Sequence, residues 1–180
     1  VVQAGASGFT KNRYIFWAPK GKATKLPQVG PNKYFGIDVS HWNALHYLPW
    51  KRLKEEEGVT FCVIKVSDGR STSGNKFRKQ YEGAKKAGIL VSPYHFCHSQ
   101  NYRDPVKGAT AEARSFIKTI EMIGGPGGKG WDIVPGLDFE KGLKNNPKGT
   151  PRASKAEMYQ RHMHNLKFYL TFVRILKKKF

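Results

Sequence analysis

Four short apolar runs, each followed by an amphipathic stretch, limit how this chain can fold. The second, Val59-Thr60-Phe61-Cys62-Val63-Ile64-Lys65-Val66, is β-branched and nearly free of polar interruptions. Such a run suits a strand covered on both faces. The runs predict strands over 34–39, 60–66, 89–96 and 133–139. Helical spacing between them places Trp50 and Leu53 in 49–57, Phe77, Tyr81 and Ala84 in 75–87, and Ala109, Ala113, Phe116, Ile120 and Ile123 in 105–123. Gly88 and Gly124-Gly125-Pro126 supply the stops. A fourth helix is predicted over 154–178, carrying Met163, Leu166, Leu170 and Val173 on a face that packs on the sheet. Its last turn is Lys177-Lys178-Lys179, where cations favour the helix dipole. Strand and helix alternating four times means an α/β fold with a parallel sheet and right-handed crossovers.

Folds of this class collect their sites at the C-terminal ends of the strands. Asp38, Asp68, His95, His98, Asp138 and Glu140 all fall at or just past such ends. Acids are scarce, 13 Asp and Glu against 32 Lys and Arg, so their positions carry information. Asp138 and Glu140 are two residues apart and share one strand face, with Leu137 and Phe139 on the other. Paired acids on one wall of a cleft are what glycosidic cleavage needs. In a strand that otherwise reads as buried, they require a cleft, a cation or a metal.

Each residue alone has a plainer reading. Asp38 with Ser40 caps a turn, Asp68-Gly69 is an ordinary turn pair, and His95 is a satisfied core histidine. Asp38, His95, His98, Asp138 and Glu140 together mix nitrogen and oxygen donors as zinc sites do. His-x-x-His after a strand is not a standard ligand spacing, however, and neither metal nor cofactor is expected. His162 and His164 face different sides of their helix and make no ligand pair.

The 180 residues suffice for one domain. Residues 1–32, rich in Gly, Lys and Pro, read as a basic extension or linker, and 33–180 as the domain. A net charge of +19 points to an anionic partner: nucleic acid, an anionic membrane or the polyanionic bacterial wall. No groove-reading motif supports nucleic acid, and no run of about 20 apolar residues supports a membrane span. Cys62 and Cys97 sit near opposite ends of neighbouring strands, about 15 Å apart at about 3.3 Å per residue. A disulfide needs Cα atoms within about 7 Å, so both are expected as free, mostly buried thiols.

Read in order, the motifs resemble those of the glycoside hydrolase family 25 lysozymes. Gly36-Ile37-Asp38-Val39-Ser40-His41-Trp42 is similar to that family's opening motif. Ile64-Lys65-Val66-Ser67-Asp68-Gly69 resembles its second strand, where Lys-Ala-Thr-Glu-Gly is usual. Ala87-Gly88-Ile89 with Tyr94-His95-Phe96 resembles the third, and Asp104-Pro105 with Ala111 to Phe116 the helix after it. Leu137-Asp138-Phe139-Glu140 matches the Asp-x-Glu strand.

The resemblance implies a (β/α) barrel, of which this chain holds the first four β/α units. It implies a muramidase cutting the β-1,4 bond between N-acetylmuramic acid and N-acetylglucosamine in peptidoglycan, in the manner of phage endolysins and tail lysins. Glu140 becomes the general acid, Asp138 the group that orients the substrate's acetamido, and Asp38 part of the acidic floor. Trp42, Asp68, Tyr94 and His95 line the sugar cleft. The likeness stops after the fourth strand and its helix. Another chain completing the barrel, a larger parent protein and a degenerate wall-binding relative all remain open.

Overall fold

The computed structural model describes residues 2–3, 14–15, 24–25, 34–41, 43, 48–72, 76–125, 128–139 and 154–180. Trp42 and Glu140 lie outside the described residues. Three two-residue strands come first, β1 (Val2–Gln3), β2 (Tyr14–Ile15) and β3 (Thr24–Lys25). Then follow β4 (Gly36–Val39), α1 (Trp50–Glu55), β5 (Phe61–Asp68), β6 (Ser71–Thr72), α2 (Lys76–Lys86) and β7 (Leu90–Phe96). A 3-10 turn (Ser99–Asn101), α3 (Pro105–Ile120), β8 (Gly136–Asp138) and α4 (Lys155–Lys179) complete the order.

The expected parallel α/β sheet forms, in the order β1-β4-β5-β7-β8. β4 pairs with β5, β5 with β7 and β7 with β8, all parallel. β6 turns back antiparallel on the tip of β5, and β2 and β3 form a separate antiparallel pair. β1, inside the expected extension, adds itself parallel to β4, so part of that segment joins the sheet.

One face of the sheet is apolar and meets the helices. Ile37, Val39, Cys62, Ile64, Val66 and Val91 are fully buried there, against Leu53, Phe77, Ala84, Ala113 and Phe116. Leu53, Phe77, Ala84, Ala109, Ala113, Phe116, Ile120 and Ile123 are buried, as helical spacing predicts. Asp104 caps α3 by accepting from the N–H groups of Val106 and Lys107, with Pro105 following where its missing N–H costs nothing. Both cysteines are free and buried.

Two expectations change. The strand expected at 133–139 is only Gly136–Asp138, and it lies at the edge of the sheet rather than inside it. Val134 is 80% exposed. The reason is local. Val91 gives its N–H to the Asp132 carboxylate, and its carbonyl takes the N–H groups of Asp132 and Ile133. Ser92 gives its hydroxyl to the Val134 carbonyl. Local bonds, two of them from side chains, thus replace the regular ladder, and neither Pro93 nor Pro135 has an N–H to extend it.

The second change is in α4. Its buried face carries Phe168 and Phe172, flanked by Ile175 and Leu176, and the helix lies along α3 rather than on the sheet. Leu166 and Leu170, expected inside, are 46% and 41% exposed. The helix has two apolar stripes, and the one with two phenylalanine rings buries more area per residue.

Candidate active site

The side of the sheet away from the helices carries the polar groups. Register places Asp38 opposite Val63, Lys65 opposite Tyr94, and Asp68 opposite Phe96, which in turn faces Asp138. Strict alternation would put Asp68 among the buried side chains with Ile64 and Val66. A bulge between Lys65 and Ser67 prevents this. The extra residue, Val66, turns Ser67 to the helix side and Asp68 to the polar side. Ser67 is wholly buried, and its Oγ lies 2.8 Å from His95 Nδ1.

Tyr94 lies in the field of the three acids. Burial, then the charge of Asp38 and a hydrogen bond to it, then Asp138 and Asp68, push its hydroxyl pKa far up. The phenol therefore stays protonated and donates to Asp38. Asp38 is the hydrogen-bond partner of this phenol, while Asp68 and Asp138, from two further strands, reach it through their charge alone. Leu137 and Phe139 pack against the core, which leaves Asp138 on the polar side as alternation requires. At the far end of β4, Gln80 of α2 donates to the Ser40 carbonyl at 2.8 Å and holds the loop after Asp38.

Asp68 is built into a clamp. Lys65 Nζ reaches one of its oxygens at 2.8 Å, and His98 Nε2 bonds the other. Burial works to raise the Asp68 pKa, but the bonds from Lys65 and His98 outweigh it and hold the carboxyl below its ordinary value. Lys65 is itself 6% exposed and sits 5.0 Å from the centre of the Phe96 ring. His41 lies in the same field: desolvation and then Lys65 lower its pKa, against the pull of Asp68.

His95 does not line this face. It neighbours Tyr94 in one strand and so points the other way. It is wholly buried, with Nε2 2.8 Å from Glu112 Oε2 and its ring stacked on Phe172 at 5.0 Å. The plainer reading of His95 as a core histidine is the one the structure supports, and its place in the sugar cleft is withdrawn.

Lys65 and Glu112 escape the sequence-based assignment, and His98 enters it only as a strand-end group and candidate metal donor, not as the partner of Asp68. Each left a trace: a lysine inside an apolar strand, a histidine just past a strand end, and an acid on the buried stripe of α3.

These features define a parallel-sheet α/β protein with acids gathered at its strand ends. The chain belongs to the glycosyl hydrolases family 25, whose family model matches residues 37–174. It is 33% identical over 119 residues to Lysozyme M1 of Streptomyces globisporus, covering 63% of this chain and 34% of that protein. A family GH25 lysozyme from Aspergillus fumigatus superimposes with TM-score 0.51 at 27% identity, over 78% of this chain and 58% of that one. A family 25 glycosyl hydrolase from Bacillus anthracis shares the fold at TM-score 0.58 and 19% identity, over 95% of this chain and 62% of that one. The chain thus spans less than two thirds of each relative.

Proposed function

We propose that this chain carries the acid-bearing part of a muramidase, a peptidoglycan hydrolase cleaving the β-1,4 bond between N-acetylmuramic acid and N-acetylglucosamine. The observation that carries the reading is the strand register that sets Asp38, Asp68 and Asp138 on the polar side of three strands of one sheet, in a member of family 25. Glu140, two residues beyond Asp138, is the general acid that protonates the leaving oxygen. Asp138 orients the substrate's acetamido group as it attacks the anomeric carbon. Asp38, fixed by Tyr94, completes the floor, and Trp42 and Tyr94 meet the apolar faces of the sugars. Asp68 is a structural carboxylate rather than a proton donor, because Lys65 and His98 keep it ionised. No ion or cofactor enters this reaction scheme.

On this reading, residues 33–180 are the first four β/α units of a (β/α) barrel, and 1–32 are a basic extension. Two surfaces favour a further chain or segment supplying the rest. Among the described residues nothing pairs with the outer edge of β8. The outward stripe of α4 leaves Tyr159 60% and Leu166 46% exposed. The setting is the bacterial cell wall, reached from outside or from a phage particle. No helix among the described residues is long and apolar enough to cross a membrane.

The test is incubation with purified peptidoglycan. Release of reducing muramic ends, abolished by Glu140→Gln, supports the proposal; release that survives the substitution removes Glu140 as the acid. A second reading, a non-catalytic wall-binding module of a phage particle, draws on the +19 charge. Retention on cell-wall sacculi without turnover, equal for wild type and Glu140→Gln, favours it.

A further inference from the structure

A second polar cluster lies on the helix side of the sheet and takes no part in the proposed hydrolysis. His95 is the second-last residue of β7 and Cys97 lies just past its end, and both are buried on the helix side. Glu112 points back from the buried face of α3. The three residues are 0%, 3% and 0% exposed. One ligand atom from each, a ring nitrogen, Sγ and a carboxylate oxygen, lie within 4.8 Å of one another. Glu112 Oε2 bonds His95 Nε2 at 2.8 Å and accepts the His98 N–H at 3.2 Å. Its other oxygen, Oε1, is buried and has no hydrogen-bond partner within 3.5 Å, with the Tyr102 hydroxyl near enough to feel the carboxylate. A carboxylate oxygen left so in the interior costs free energy.

We infer that His95, Cys97 and Glu112 form a closed zinc site, with Nε2, Sγ and both carboxylate oxygens as the four donors. One imidazole, one thiolate and a carboxylate make a mixed set of the kind zinc accepts. Chelation by both oxygens gives Oε1 the partner it lacks. The surroundings suit an ion as well. In the empty site Nε2–H donates to Glu112 and Nδ1 accepts from Ser67; when the ion binds, the ring proton moves to Nδ1, where Ser67 Oγ, 2.8 Å away, accepts it and frees the Nε2 lone pair. The His98 N–H steadies Oε2 in the same way. Phe116 and Phe172 flank the imidazole at 5.3 and 5.0 Å and close the site to water.

Binding exchanges a proton. Burial, then Glu112 and Asp138, push the Cys97 thiol up, so it is protonated without the ion. Its S–H bond breaks as the S–Zn bond forms and that proton leaves to solvent, while the His95 ring proton shifts from Nε2 to Nδ1, so that one proton is released in all. The ion ties the end of β7 to α3 and, through the His98 backbone, steadies the ring that clamps Asp68.

The purified full chain, stripped with a chelator, is titrated separately with zinc and with cobalt(II). Metal content after gel filtration, the visible spectrum and thermal melting are read. The expected result is stoichiometric zinc, a raised Tm, and a tetrahedral cobalt spectrum with a thiolate charge-transfer band. Cys97→Ser removes that band, Cys62→Ser keeps it, and Ser67→Ala weakens zinc binding about 10- to 100-fold. Substoichiometric uptake by the folded wild type, or a cobalt spectrum without the thiolate band, overturns the proposal and needs no variant. A band that survives Cys97→Ser, or disappears with Cys62→Ser, overturns it equally.

Discussion

Asp68 owes its ionised state to two neighbours, Lys65 and His98. Its folded pKa is depressed, so it contributes stability that is present above its unfolded value, near 3.9. That contribution is lost as pH falls through the lower folded value. Asp68→Asn removes the charge and leaves Lys65 nearly buried without its partner. The side chain of Asp68 is 32% exposed, so solvent screens part of the effect. A loss of about 1–3 kcal/mol at neutral pH is expected. Urea unfolding of both proteins at neutral and strongly acid pH checks this. The gap between them should narrow in acid, and a gap that widens contradicts the assigned charge.

Single residues were legible in the sequence where alternation alone decides. Asp138 faces away from Leu137 and Phe139 because neighbours on a strand must oppose each other. The same rule separates His95 from Tyr94, so placing both in one cleft was never compatible with a regular strand. Asp68 was found at the right strand end, but its facing depends on the Val66 bulge. No propensity marks that bulge: Val66 is as apolar and β-branched as its neighbours. Glu112 was legible as an anomaly, an acid three residues from Ala109 and four from Phe116, without a partner that local sequence could name.

At the scale of helices and strands, a long periodic segment is easy to read and its contact face is not. The four helices lie where their spacing puts them. α4 nevertheless buries Phe168 and Phe172 instead of Leu166 and Leu170, because the choice between two apolar stripes is made by α3 and His95. Phe172→Ala should therefore cost about 3–5 kcal/mol, as for a buried aromatic ring. Leu170→Ala, on the exposed stripe of the isolated chain, should cost well under half as much. Thermal melts of the pair distinguish the two faces, and equal losses would return the helix to the packing first expected.

α3 offers a sharper case. Gly108 sits in the helix interior, where Ala is ordinarily better by about 1 kcal/mol. A Cβ there would stand 2.3 Å from Tyr102 Cγ and 2.8 Å from its Cβ. Those atoms belong to the stem of the side chain and cannot swing aside. Overpacking of about 1–3 kcal/mol should outweigh the helical gain, so Gly108→Ala is expected to lower Tm. A raised Tm would show that the ring yields.

Over the full chain, charge dominates. A net +19 on 180 residues strains the folded state through self-repulsion. Salt shortens the reach of that repulsion, from about 30 Å at 0.01 M to about 8 Å at 0.15 M. Tm is expected to rise over this range in sodium chloride, and a fall would mean that attractive pairs such as Lys85–Asp132 and Lys179–Glu121 prevail. The pairing of Val2–Gln3 with β4 was illegible in sequence, since two residues carry no periodicity. The parallel sheet itself was legible because the apolar runs and helical segments agree with one another.

The proposed role of Glu140 as the general acid is tested most directly by the rate of reducing-end release from peptidoglycan in wild type and Glu140→Gln. Loss of a general acid should lower that rate at least about 100-fold, with the fold unchanged by circular dichroism. Release at the wild-type rate by Glu140→Gln would contradict the site built here.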